Sequence, residues 1–245
     1  MKTIAYTALH YGKDYLGYAI RSIIDHVDEY HVLYTSKGSH GHRTNLVCPD
    51  SREELKAIAR AAAGDKLTWH EGVWTQEGQH RDAIHELVPD ADVVLVLDAD
   101  EIWEKGLAEH VVLGSPFGKS RTYRIPIIHY WRSFRRCVLH DPAYPIRVIL
   151  PKIENGEATI DTYQRINHMG YAIRPAMMYY KWQLHGHKNE MRDFDTWFDE
   201  VYLKNRQVDC HPIGSEWWNP EQVEPLDYMP EWMQEHPYWG KDVIE

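Results

Sequence analysis

The sequence predicts an α/β fold, a doubly wound and mainly parallel sheet flanked by helices, with an α+β extension after it. Three observations carry this. Strand-like and helix-like periods alternate from Thr3 to Leu97. The run Val93-Val94-Leu95-Val96-Leu97 is apolar throughout, as in a strand buried on both faces of a parallel sheet. Beyond Glu101 the pattern changes to shorter strand candidates and one longer helix.

Thr3 to Ala8 reads as the first buried strand, and Tyr15, Leu16, Ala19, Ile20, Ile23, Ile24 and Val27 follow at helical spacing. Tyr30 to Thr35 gives a second strand. It runs into Ser36-Lys37-Gly38-Ser39-His40-Gly41, a loop with backbone freedom that reads as a binding loop, with Ser36 a candidate ligand contact. Ser51 with Glu54 three residues on is a capping-box signal for a helix through Leu55, Ile58, Ala59 and Ala62 that stops at Gly64. Leu67 to His70 is a weak third strand, and Ala83, Ile84, Leu87 and Val88 mark a third helix ended by Pro89-Asp90. The apolar strand up to Leu97 closes this half. Thr122 to Ile128 and Pro145 to Leu150 are strand candidates of the second half, and Pro175 to Leu184 is its helix. From Trp217 to Trp239 the chain carries Trp217, Trp218, Trp232 and Trp239 among Pro220, Pro225, Pro230 and Pro237, too proline-broken for a long helix or a ladder; this reads as a tail packed over the body.

Composition narrows the function classes. A chain of 245 residues, 43% hydrophobic, is long enough to bury one substantial core. Its formal charge of -10 opposes broad attraction to nucleic acid or anionic lipid. Cys48, Cys137 and Cys210 lie far apart with no C-x-x-C pattern, which points away from a disulfide framework or a thiolate zinc site and toward a reducing cytoplasm. No apolar stretch approaches the roughly 20 residues needed to span a bilayer, so neither export nor stable membrane insertion is expected.

Asp98-Ala99-Asp100 stands at the end of the most hydrophobic strand, where open α/β sheets place ligands. Carboxylates one residue apart can both reach a cleft where the chain bends, and they offer hard oxygen ligands to Mg²⁺ or Mn²⁺. The same residues are compatible with a plain strand end that caps the next helix.

Around this motif the N-terminal half resembles the large family of inverting, DxD-containing GT-A glycosyltransferases, over roughly Lys2 to Lys188. The residues that carry the resemblance are Val93 through Glu101, similar to the family's apolar strand, DxD motif and trailing acid. The resemblance implies transfer of a sugar from a nucleoside-diphosphate sugar, such as a UDP-sugar, to an acceptor hydroxyl by inversion, with Mn²⁺ or Mg²⁺ as cofactor. It implies Asp100 as the direct metal ligand and Asp98 near the ribose or the metal. Gln79-His80-Arg81-Asp82-Ala83 resembles a segment in which an Arg precedes an Asn and a helix, with Asp82 in the Asn place, so Arg81 would face the donor's base or phosphates. Thr7-Ala8-Leu9-His10-Tyr11 resembles the nucleobase loop, which brings in Thr7, Leu9 and Tyr11. His168-Met169-Gly170-Tyr171-Ala172-Ile173-Arg174-Pro175, followed by Met177 and Lys181, resembles a segment of bacterial relatives, in which His168 would complete the metal shell. On this basis residues 1–210 form the GT-A domain, with a donor half about 1–103 and an acceptor half about 104–210, and residues 211–245 the tail.

The catalytic base for an acceptor hydroxyl must be a carboxylate of suitable pKa; Asp141, in His140-Asp141-Pro142, and Glu101, beside the metal motif, are the candidates. His168 is one of 16 histidines, most of them ordinary hydrogen-bonding residues. His185-Gly186-His187 could converge two imidazoles on one ion but shows no nearby third ligand, and reads otherwise as a phosphate contact or as the end of the preceding helix. Lys119, Arg121, Arg124, Arg132, Arg135 and Arg136 form the concentrated positive region, fit to meet phosphates or an anionic acceptor, or simply to be solvated. The acceptor classes are a glycan, a small molecule or, with less support from the charge, a modified nucleic acid. Two other readings compete: a haloacid-dehalogenase-like phosphatase with Asp98 as nucleophile and Asp100 as general acid, and a non-catalytic carbohydrate-binding protein using its 10 Trp and 16 Tyr.

Overall fold

The structure, a computed structural model, describes all residues except 40, 114–119, 143, 192 and 215–217. In chain order the regular elements are β1 (Thr3–Leu9), α1 (Leu16–Arg21), β2 (Glu29–Thr35), α2 (Arg52–Ala63), β3 (Leu67–Gly72), α3 (Glu77–Leu87), β4 (Val93–Val96), β5 (Glu101–Trp103) and α4 (Leu107–Leu113). The second half adds β6 (Thr122–Arg124), β7 (Ile127–Trp131), β8 (Arg136–Val138), β9 (Ile146–Ile149), β10 (Glu157–Thr159), β11 (Ile166–Tyr171), α5 (Pro175–Leu184), α6 (Phe194–Trp197) and β12 (Glu221–Gln222).

A seven-stranded mixed sheet runs β10-β6-β9-β4-β1-β2-β3, and a five-stranded sheet runs β12-β8-β7-β11-β5. In the larger sheet β1 pairs parallel with both β2 and β4, and β2 pairs parallel with β3; β9 is antiparallel to β4 and β6. Side chains alternate across it. Ala5, Leu9, Val93 and Leu95 pack with α1, α2 and α4 on one face, whereas Ile4, Tyr6, Val94 and Val96 pack with Ile84 and Val88 at α3 on the other. Burial on both faces explains why β4 carries no polar residue. The capping box forms as expected: Ser51 Oγ accepts from the Glu54 N–H at 3.2 Å and the Glu54 carboxylate accepts from the Ser51 N–H at 3.1 Å.

A separate core fills the space between the five-stranded sheet, α5 and the chain's end, where Tyr130, Met169, Met178, Trp182, Trp218, Met229 and Met233 are buried together. Two expectations are corrected in this half. The stretch Thr122 to Ile128 is not one strand. It breaks at Ile125-Pro126, so that β6 joins the large sheet and β7 the small one; Pro126 has no N–H for a ladder and its carbonyl accepts from Ile166 instead. The tail does not stay outside the sheets, because β12 pairs antiparallel with β8, its Glu221 opposite Cys137. Trp217 and Lys119 lie outside the described residues. Among those described, no helix is long and apolar enough to cross a membrane.

Candidate active site

A cleft of about 310 Å³ opens where β1 and β4 end, roofed by the start of α3, the end of β11 and the inner face of α5. The chain reverses at Asp98-Ala99-Asp100 between β4 and β5, with the Glu101 N–H donating to the Asp98 carbonyl at 3.1 Å. The loop after β1 closes on this turn through Gly12. A Cβ there would lie 2.6 Å from that of Ala99, and the residue's φ of 124° belongs to glycine. Asp50 holds the loop by accepting from the Gly12 and Lys13 N–H groups at 2.7 and 2.9 Å.

The two aspartates have different surroundings. Asp98 is clamped between guanidiniums: Arg81 Nη2 lies 2.9 Å from Oδ1 and Arg147 Nη2 2.7 Å from Oδ2. Burial opposes its charge, yet the two arginines outweigh that and hold the carboxyl below its usual range. Asp100 faces Lys181 Nζ at 3.1 Å and His168 Nε2 at 3.6 Å. Burial again opposes ionisation, and Lys181 and His168 reverse it, so that the carboxyl sits well below its ordinary value. Close approach of these two partners depends on Gly170, where a Cβ would fall 2.3 Å from His168 Cε1 and 2.8 Å from Lys181 Nζ.

Behind His168 a polar row continues into the fold. His129 of β7 is the register partner of His168 in the parallel β7–β11 pair, and their Nδ1 atoms are 2.8 Å apart. His129 Nε2 in turn lies 2.5 Å from Asp141 Oδ2. Burial pushes the His129 imidazole down to about 4, against the pull of Asp141. Trp218 from the tail covers this row, its ring centroid 4.8 Å from that of His129 and 4.9 Å from that of Tyr171.

Of the residues singled out in the sequence, Tyr11, Arg81, Asp98, Asp100 and His168 line the cleft, and Thr7, Leu9, Ser36, Glu101 and Asp141 do not. Thr7 is spent inside the sheet, its hydroxyl donating to the Leu97 carbonyl at 2.7 Å, and Leu9 lies in the core. The strand's period of two turns Ala8 and His10 to the cleft instead. Ser36 is exposed, and Ser39 farther along that loop takes the lining position. Glu101 is 1% exposed, with its carboxylate bonded by Arg147, and Asp141 is 8% exposed behind His129, so neither candidate base reaches the cleft. Arg81 lies within α3, not before it, because the helix starts at Glu77 and the Glu77–Arg81 pair at 2.9 Å supports its first turn.

Sequence reasoning missed Arg147 and His129 and set aside His185-Gly186-His187, which do line the cleft. The signal for Arg147 was present: a charge within Ile146-Arg147-Val148-Ile149 must find a buried partner. His129, in the apolar context Ile128-His129-Tyr130-Trp131, had no such marker.

No protein-family model matches the chain, and no curated protein matches it. Among solved structures, residues 1–349 of TarS from S. aureus align over 74% of this chain and 63% of that one, with 11% identity and a TM-score of 0.43. The same fragment in complex with UDP aligns over 75% and 64%, with 11% identity and a TM-score of 0.43. HddC from Yersinia pseudotuberculosis aligns over 74% and 97%, with 9% identity and a TM-score of 0.42. The chain thus spans less than two thirds of the length of the TarS fragment.

Proposed function

We propose that the chain is a GT-A-type glycosyltransferase that transfers a sugar from a nucleoside-diphosphate sugar to an acceptor hydroxyl. The observation that carries this reading is the grouping of Asp100, Lys181, His168 and Arg81 around one cleft at the C-terminal edge of parallel strands, where α/β sheets bind nucleotides. In the transfer, the bond from the anomeric carbon to the diphosphate oxygen breaks and a bond to the acceptor oxygen forms, with the hydroxyl proton passing to a base. The family resemblance favours inversion at that carbon.

The donor atoms fit a divalent ion in part. Among the described residues no three His, Cys, Asp or Glu side chains gather as a metal cage, and Asp98, expected as a ligand, gives its oxygens to Arg81 and Arg147. Asp100 and His168 Nε2 remain as a carboxylate and an imidazole side by side, and a Mg²⁺ or Mn²⁺ site is commonly completed by substrate phosphate and water. When bound there, such an ion would neutralise charge on the departing diphosphate. Lys181 and Arg81 supply fixed cations for the same phosphates, and Asp98 orients Arg81.

A phosphatase with Asp98 as nucleophile is disfavoured, since the clamp of two guanidiniums stabilises that carboxylate and lowers its nucleophilicity. The test is titration of the protein with UDP and UDP-sugars, with and without Mn²⁺, followed by assay for sugar transfer or donor hydrolysis. Binding strengthened by Mn²⁺ and release of UDP are expected. A protein that binds no nucleoside diphosphate in either condition would overturn the proposal.

A further inference from the structure

We propose that His187 is the general base that takes the proton of the acceptor hydroxyl, with Glu190 the positioning residue that holds its ring. This rests on the reading of the cleft as a donor-diphosphate site and adds to it the group that activates the nucleophile.

Transfer with inversion needs a proton acceptor on the cleft wall, and few groups there are left to serve. Asp98 and Asp100 are held by Arg81, Arg147 and Lys181, and His168 stands beside Asp100 in the place proposed for the ion. Glu77 pairs with Arg81, and the Asp14 carboxylate is bonded by Arg174. His10 uses both ring nitrogens, Nδ1 on the Thr35 carbonyl and Nε2 on the Tyr180 hydroxyl, each at 2.8 Å. His80 does so with the Leu33 carbonyl at 2.7 Å and the Ser39 hydroxyl at 3.0 Å. At His185 the Nδ1 lone pair accepts from the His187 N–H at 3.2 Å, which in the neutral ring puts the proton on Nε2.

His187 is arranged differently. The last turn of α5 carries Lys181 to Asp100, and the chain leaving that helix brings His187 to the same cleft. Its Nδ1 lies 2.8 Å from Glu190 Oε1. A carboxylate only accepts, so in the neutral ring the proton sits on Nδ1 and the lone pair on Nε2. The pairing is local: residues Lys188–Glu190 make one 3₁₀ turn, closed by the Glu190 N–H donating to the His187 carbonyl at 2.9 Å. An imidazole with a carboxylate at Nδ1–H and a bare Nε2 is the arrangement that takes a proton from a hydroxyl in many enzymes. The His187 side chain is 56% exposed, which puts it at the mouth, the side from which an acceptor enters. In the step, the hydroxyl proton passes to Nε2 and the oxygen's electron pair forms the bond to the anomeric carbon. The bond from that carbon to the diphosphate oxygen breaks with its pair on the diphosphate, and the imidazolium, stabilised by Glu190, gives its proton to solvent.

The experiment takes water and azide as nucleophiles, so it runs without the natural acceptor. UDP release from a panel of UDP-sugars with Mn²⁺ is followed in wild type, His187→Ala, Glu190→Gln and Asp14→Asn. Wild type should hydrolyse at least one of these donors. His187→Ala should bind UDP within about twofold of wild type and lose hydrolysis by about a hundredfold to ten-thousandfold. Sodium azide, an anion with no proton to lose, should restore its turnover and yield the glycosyl azide. Glu190→Gln should lower kcat for hydrolysis about fivefold, the scale of an exposed ion pair, with the donor's KM and the azide reaction unchanged. Hydrolysis retained in His187→Ala, or lost only in Asp14→Asn, overturns the proposal. Loss of UDP binding together with hydrolysis in His187→Ala also overturns it, because His187 would then be a phosphate contact. If wild type binds UDP but consumes no UDP-sugar, the base assignment falls and the donor site stands; if it binds no nucleoside diphosphate, the glycosyltransferase reading falls and the base with it.

Discussion

Asp98 and Asp100 look alike in the sequence, and their neighbours make them different experiments. Removing Asp98 takes one carboxylate from Arg81 and from the buried Arg147, which keep Glu77 and Glu101, so Asp98→Ala is expected to cost about 1 to 3 kcal/mol, less than breaking a fully buried ion pair. Asp100→Ala frees only Lys181 and His168 at the cleft wall. It should leave the melting temperature within a few degrees of wild type and abolish sugar transfer, a contrast that thermal denaturation and a turnover assay would show together. Gly170→Ala is the steric counterpart. A methyl group 2.3 Å from the His168 ring and 2.8 Å from Lys181 Nζ must displace both, so Mn²⁺-dependent UDP binding, read by calorimetry, should fall at least tenfold. The acidic motif was legible because a strand as apolar as Val93 to Leu97 ends on it. Its arginine clamp was not, because Arg147 reaches Asp98 from 49 residues away through the pairing of β9 with β4.

At the scale of elements, local chemistry was read well and long-range pairing poorly. The helix start at Ser51 was visible because both halves of its capping box are three residues apart. Ser51→Ala should cost about 1 kcal/mol and leave nucleotide binding unchanged, as denaturant titration and calorimetry can check. By contrast, nothing local distinguishes Thr122–Arg124 from Ile127–Trp131 except Pro126, and assigning them to separate sheets requires knowing their partners β9 and β11. The same limit hid His129, whose contact with His168 exists only through their register. Parity misled at β1, where Thr7 and Leu9 were chosen and the strand turns Ala8 and His10 to the cleft.

Across the whole molecule the tail is a brace behind the cleft. None of its described residues lines the cleft; they pack behind it instead, with Trp218 over His129, β12 on β8, and Asp242 bonded to the buried Arg132 at 2.6 and 2.9 Å. Truncation before Trp218 should therefore unfold the C-terminal half, seen as loss of near-ultraviolet dichroism, and abolish donor binding as well as transfer. His236 makes this brace sensitive to acid. Its ring stacks on Tyr15 at 4.7 Å, donates from Nε2 to the Asp14 carbonyl at 2.9 Å and accepts from the Tyr238 N–H at Nδ1, which leaves no place for a second proton. Burial lowers it from 6.5 to about 4. A histidine with a depressed pKa gives stability that is present above about 6.5 and lost as pH falls toward about 4, here up to about 3 kcal/mol. In His236→Asn the fall in melting temperature between pH 6.5 and 4 should be smaller than in wild type.

The clamp around Asp98 has one more consequence. Arg81 and Arg147 answer Asp98 and Glu101, and Lys181 answers Asp100, so these charges cancel before anything binds. Such a surface has little net pull on either a bare diphosphate or a bare divalent ion. On the proposed reading each ligand supplies what the other lacks, and linkage requires the factor by which Mn²⁺ tightens UDP to equal the factor by which UDP tightens Mn²⁺. On that reading the cleft would act as a coincidence detector, filled more readily when donor and cation arrive as a pair.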